Sequence, residues 1–294
     1  MASPRIALVT GANQGLGFAL AAGLSARLAP EDLVLLTGRD PGRVAAAAAA
    51  IAEGGARVEG RVLDVCEPEA IHELAREIEA AHGGADIVFS NAAARMNPAN
   101  DPAAEVDAVV ETNNLATVHV LRAFAPRMRP GGRLLIVASS LGTLGHLDPR
   151  VRPRFAAAAR TLEGVEQLLG EWRAAVHQGR AEEEGFPTWL NIPSKVAQVA
   201  AVRAIAHQRR QQDLRDDVLI AALCPGLIDT DASRPWFEDM SQALSPAQGA
   251  RAPLDLALSR PADARFYGEL VRSGNVLPWE AASARGVPAF GVAR

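Results

Sequence analysis

Short runs of Val, Ile and Leu recur along the chain, each bounded by turn-forming residues, at 5–10, 32–37, 57–64, 86–90, 133–139 and 218–224. Between them lie longer, Ala-rich stretches whose apolar residues return with helical spacing, at 16–28, 43–52, 68–81 and 106–128. Continuous apolar strands alternating with helices predict parallel strands buried on both faces, a doubly wound α/β sheet of the Rossmann type. The alternation holds from the first residues to about 225 without a linker, so a single domain over 1–294 is expected. The alanines at 45–50 read as the middle of a surface helix.

Two stretches break the rhythm. Residues 140–190 form a long insertion with a basic, Pro-flanked piece at 148–154, a helical piece near 162–176 and the acidic run at 182–184. From 226 onward the pattern loosens, with many prolines and one helix near 247–258. Both stretches follow the carboxyl ends of strands, where open α/β sheets bind their ligands, so substrate specificity is expected there.

The composition narrows the function classes. The chain has 294 residues, 34 acidic against 30 basic, and a net charge of -4, which offers no polybasic surface for nucleic acid. Two cysteines, Cys66 and Cys224, are too few for a disulfide framework and lack metal-ligand spacing, so no metal is expected. The N-terminus enters its first strand without a signal-like apolar segment, and no later stretch is long and apolar enough for a bilayer; a cytoplasmic protein without membrane partners is expected. Of the 30 basic residues only Lys195 is a lysine, and Tyr267 is the single tyrosine.

The chemistry begins directly after the first strand, with Thr10-Gly11-Ala12-Asn13-Gln14-Gly15-Leu16-Gly17 opening a helix. Glycines there let the backbone approach a pyrophosphate, and the helix N-terminus supplies unpaired N–H donors. The spacing differs from the commoner Gly-x-Gly-x-x-Gly, and a plain glycine-rich turn has the same composition; the position between first strand and helix favours dinucleotide binding. At the end of the second strand, Arg39 stands where an NAD site commonly carries an acid for the ribose 2′-hydroxyl. A guanidinium there suits a 2′-phosphate, which favours NADP(H); a solvated surface charge beside Asp40 is the alternative.

On these residues the chain resembles the short-chain dehydrogenases/reductases, and within them the monomeric carbonyl reductases, over nearly its whole length. The resemblance implies cofactor contacts from Gly11, Asn13, Gln14, Gly15, Leu16 and Gly17, adenine contacts from Asp64 and Val65, and a strand-end motif at Asn91 and Ala92. It implies a helix asparagine at Asn113, a catalytic serine at Ser139, and nicotinamide contacts from Pro225, Gly226, Ile228 and Thr230. The insertion matches that of the monomeric members in place and length, which implies a monomer acting on a small-molecule substrate.

The family signature Tyr-x-x-x-Lys reads here Asn191-Ile192-Pro193-Ser194-Lys195. Lys195 falls on the expected position, with an implied role at the nicotinamide ribose as well as in catalysis. The tyrosine, which would give its proton to a carbonyl oxygen, is Asn191. An amide donates a hydrogen bond but releases no proton at neutral pH, and a positioned general acid is worth about 10²–10⁴-fold in rate. Tyr267, without a lysine partner, reads as a packed aromatic. His146 and Asp148 are replacement acids by position, although a loop histidine is more often a surface group; His177 and the acidic run read as surface charges. Three functions follow: an NADPH-dependent reductase whose substrate needs no proton, such as an iminium ion; a non-redox enzyme for cyclisation, dehydration or isomerisation; and a dinucleotide-binding protein without catalysis.

Overall fold

The computed structural model describes residues 3–51 and 55–280. An eight-stranded sheet has the order β3-β2-β1-β4-β5-β6-β7-β8, parallel throughout except for the last pair. Its strands are β1 (Ile6–Val9), β2 (Leu33–Gly38), β3 (Arg57–Val62), β4 (Ala85–Ser90), β5 (Met128–Val137), β6 (Leu219–Leu223), β7 (Leu270–Arg272) and β8 (Asn275–Leu277). The helices are α1 (Gly15–Arg27), α2 (Pro41–Ala50), α3 (Pro68–His82), α4 (Pro102–Val109), α5 (Ala116–Phe124), α6 (Arg152–Ala158), α7 (Leu162–His177), α8 (Asn191–Arg215) and α9 (Pro246–Leu258). Strands β1, β2, β4 and β6 are buried along their full length, as apolar strands covered on both faces must be. The alternating pattern thus translates directly into the doubly wound sheet.

Local chemistry sets most helix ends. Asp40 caps α2 by accepting from Arg43 N at 2.8 Å, with Pro41 at the first helical position. This accounts for the acid beside Arg39: it serves the helix. Helix α3 buries Ile71, Leu74, Ala75 and Ile78 on one stripe and stops at Gly83, whose φ of 77° is a left-handed cap. A reciprocal capping box between Ser245 and Gln248 starts α9.

Three expectations are corrected. The helix expected at 106–128 is broken: α4 passes through a π-helical turn at Val110–Leu115 into α5, which ends at Phe124 before Pro126. Strand β5 then starts at Met128, five residues earlier than the apolar run, where Met128 pairs with Ala85 of β4, and the fully buried Arg133 within it finds main-chain acceptors at Gly131, Gly132, Asp217 and Ser259. Strand β3, expected to be buried, is the exposed edge, with Val62 60% accessible. The three-residue strands β7 and β8 are too short for periodicity to register. Ala52, the expected end of the second helix, and residues 281–294 of the C-terminal segment lie outside the described residues.

The insertion folds against the body. Helix α7 buries Leu162, Val165, Leu168, Leu169 and Trp172 among its inward positions. Arg122 of α5 holds Glu166 of α7 through two bonds of 2.9 and 3.0 Å, and Arg173 reaches Glu111 in the π-turn at 2.7 Å. His177 pairs with Asp107 at 3.0 Å. Glu184, expected as a free surface charge, pairs with Arg154 and Arg180.

Candidate active site

At the carboxyl ends of the strands, where the order reverses between β1 and β4, lies a cleft of about 1550 Å³. Its floor begins with the glycine loop. Gly11 has a φ of 61°, and a Cβ there would lie 2.7 Å from Ala92 Cα; a Cβ on Gly17 would lie 2.4 Å from Gly11 O. The backbone path of the loop therefore requires glycine at both positions. The N-cap of α1, Gln14, makes no side-chain cap bond, so the first-turn N–H groups have no capping side chain at the cleft. Asn91 ties β4 to this loop, donating from Nδ2 to Thr10 O at 3.0 Å and Gly11 O at 3.1 Å, and Thr10 Oγ1 accepts from Asn91 N and Ala92 N.

At the end of β2 the cleft is walled by Arg39 and Arg43. Neither forms an ion pair with a carboxylate among the described residues, while Arg43 donates to Gln14 Oε1. Arg43 was not legible as a site residue; its signal is a basic residue one turn into the helix that follows Arg39. Asp64 and Val65, after β3, line the same cleft, with Asp64 Oδ1 accepting from Cys66 N at 2.9 Å.

The opposite half gathers the remaining candidates. Ser139 follows β5, is half-buried and accepts from Leu141 N at 3.3 Å. Asn191 is the first residue of α8 and Lys195 sits one turn further; both line the cleft. Lys195 is 9% exposed and donates from Nζ to Val137 O at 3.2 Å and Gln198 Oε1 at 2.7 Å. No carboxylate pairs with it among the described residues, and burial pushes its ammonium down to about 8. Asn113, in the π-turn, is buried; its Oδ1 accepts from Ala94 N at 2.8 Å and its Nδ2 donates to Ser194 Oγ at 3.2 Å. Gly226, Ile228 and Thr230 form the wall beyond β6, whereas Pro225 is not part of it.

The replacement acids separate cleanly. Asp148 lies outside the cleft wall, and Arg150 beside it holds its carboxyl at about 2, so it is a carboxylate throughout the neutral range. His146 does line the cleft: Nδ1 shares a 3.0 Å hydrogen bond with Thr143 Oγ1, and its buried Nε2 has no protein partner. Burial lowers its pKa, which makes it a neutral imidazole at pH 7. Tyr267 is buried away from the site and donates to Asp213 Oδ2 at 2.7 Å.

Sequence reasoning missed an aromatic pair at the cleft. Trp189, from the end of the insertion, stacks on Trp236 of the C-terminal segment with centroids 5.4 Å apart. Trp189 stands two residues before Asn191, a signal that only the pairing with Trp236 makes meaningful.

Comparison with known proteins agrees with this fold. The family model described as short chain dehydrogenase matches residues 5–149. A relative named carbonyl reductase [NADPH] 1, from Mus musculus, is 30% identical over 95% of this chain and 100% of its own. Among solved structures, salutaridine reductase from Papaver somniferum superposes with a TM-score of 0.74 at 20% identity, over 90% of this chain and 99% of its own. A metagenomic short-chain oxidoreductase in complex with NADP does so with a TM-score of 0.61 at 25% identity, over 92% and 97%.

Proposed function

The chain belongs to the short-chain dehydrogenase family, and from that premise we propose that it is an NADPH-dependent reductase acting on a C=N or C=O group of a small organic substrate through an atypical Ser-Asn-Lys site. One observation carries the reading: Ser139, Asn191 and Lys195 line the same cleft as the glycine loop and the Arg39–Arg43 pair.

The residues fit the cofactor. The uncapped first turn of α1 and the glycines before it suit a pyrophosphate, and two guanidiniums without carboxylate partners suit a 2′-phosphate. Asp64 and Val65 would flank the adenine, and Asn91, Ala92, Gly226, Ile228 and Thr230 the nicotinamide half. When bound, the reduced nicotinamide supplies the two electrons of the reduction as hydride.

What the chain adds is hydrogen bonding and charge. The Ser139 hydroxyl and the Asn191 amide each donate to a substrate heteroatom, and Lys195 contributes a fixed positive charge beneath them. The Ser139 hydroxyl and the Asn191 amide release no proton at neutral pH, so the one acid of the three is the Lys195 ammonium, brought down to about 8 by burial. A ketone converted to an alcohol needs a proton at oxygen, whereas an iminium carbon reduced to an amine leaves a neutral nitrogen. The neutral His146 and the remote Asp148 weaken the case for either as a substitute acid, and Lys195 Nζ is held by Val137 O and Gln198 Oε1 rather than by a tyrosine; this reading prefers C=N reduction over ketone reduction.

The decisive experiment follows NADPH absorbance against a panel of cyclic iminium ions, ketones and enones, with mass spectrometry of the products. Iminium reduction well above ketone reduction is expected. Product formation without loss of NADPH would replace this reading with a cyclase, dehydratase or isomerase on the same scaffold, and tight NADPH binding without any turnover would leave a binding protein.

A further inference from the structure

The buried contact beneath Lys195 is made by a residue that neither the glycine loop nor the Ser-Asn-Lys set includes. Gln198 lies three positions along α8, on the same face as Lys195, and is 2% exposed. Its Oε1 accepts from Lys195 Nζ at 2.7 Å; its Nε2 donates to Asn113 O at 2.9 Å and to Thr117 Oγ1 at 3.0 Å. Thr117 Oγ1 in turn donates to Asn113 O at 2.6 Å. The amide can sit only one way round: reversed, its NH₂ would face an ammonium and its oxygen a carbonyl. One oxygen and both N–H bonds are thereby used, so a buried polar side chain is fully satisfied in a single orientation.

We propose that Gln198 is the positioning residue of this site, fixing Lys195 Nζ against the π-turn through Asn113 and Thr117 so that one of its three N–H bonds remains for the ligand. Two N–H bonds go to Val137 O and Gln198 Oε1, and the side chain borders the cleft. A neutral amide does this without cancelling the charge, as a carboxylate at 198 would. Because an amide relays no proton, the chain from Asn113 to Lys195 ends in a fixed cation rather than a conduit. This deepens the proposed function, since it makes Lys195 a binder of ribose hydroxyls or of developing negative charge, but the geometry stands whether or not that function holds.

The single lysine allows a direct test without substrate or cofactor. Biosynthetic labelling with [13C,15N]-lysine gives one side-chain Cε resonance, and its pH titration reports Lys195 alone. In the wild-type protein the midpoint is expected near 8. The other titratable group acting on Lys195 is Cys224, at the end of β6, and it is unchanged in every variant. Gln198→Met, of similar volume, should lower the midpoint by roughly one unit, because the ammonium loses its nearest acceptor; Gln198→Glu should raise it by one unit or more. Should Gln198→Met not fold, the Glu variant alone decides. A midpoint unmoved in the Glu variant, or one moved equally by Asn114→Ala, which alters the neighbouring packing without touching Nζ, overturns the proposal. Where NADPH turnover is found, Gln198→Met should lower kcat about tenfold with substrate KM nearly unchanged, and Gln198→Asn should not rescue it, because the shorter amide cannot span both partners.

Discussion

In the proposed function Asn191 is the side chain that separates two chemistries, since Ser139 and Lys195 border the same cleft. Asn191→Tyr should therefore raise reduction of simple ketones by up to ~10²-fold, as a positioned acid does, while slowing iminium reduction. Steady-state kinetics on both substrate types check this; equal rates before and after the change would remove Asn191 from the reaction. His146→Ala should leave iminium reduction within about twofold, because an iminium carbon needs no proton and the imidazole is neutral at pH 7. Arg39→Ala and Arg43→Ala should each weaken NADPH about tenfold, the worth of a charge-assisted contact, and leave NADH almost untouched in calorimetric titration. Lys195 also ties stability to pH. Its folded pKa lies below the unfolded value, so between about 8 and 10.5 the unfolded chain binds more protons and stability rises with pH. Below 8 the cost of burying the charge is constant. Urea unfolding of the wild type should accordingly gain stability from pH 8 to 10 relative to Lys195→Met.

Among the elements, the glycine loop was visible in the residues themselves. It shows as three glycines at a strand-to-helix junction, whereas α8 (Asn191–Arg215) is not among the stretches that helical spacing marked and was implied only by the resemblance. The break of the fourth helix was not visible, because a π-turn keeps the apolar residues Val109 and Val110 buried just as a continuous helix would. Nor could β5 be traced to Met128, since Arg129, Pro130, Gly131 and Gly132 read as turn-forming residues rather than as an apolar run. Gly17→Ala would force a Cβ to within 2.4 Å of Gly11 O and 2.5 Å of Asn91 Nδ2. Cofactor binding should fall at least tenfold in that variant while the circular dichroism of the remaining helices is retained.

In the whole molecule the insertion packs on the helices beside the sheet, α7 lying against α4, α8 and the π-turn. Helix α7 covers the α4 and π-turn region with apolar packing and the Arg122–Glu166 and Arg173–Glu111 pairs. A monomer is expected by light scattering at micromolar concentration; a stable dimer would mean that another face associates. Trp172→Ala, at a fully buried position in α7, should cost about 3–5 kcal/mol and loosen the insertion first. The residues alone determined the alternating architecture, the glycine loop and the asparagine four positions before Lys195, because each is written in local spacing or in the identity of one side chain. Which groups converge was decided only by the tertiary structure. Arg43 beside Arg39, Trp189 on Trp236, the exclusion of Asp148 from the cleft and the amide of Gln198 under Lys195 all join segments far apart in sequence or depend on side-chain direction, and neither composition nor periodicity carries that information.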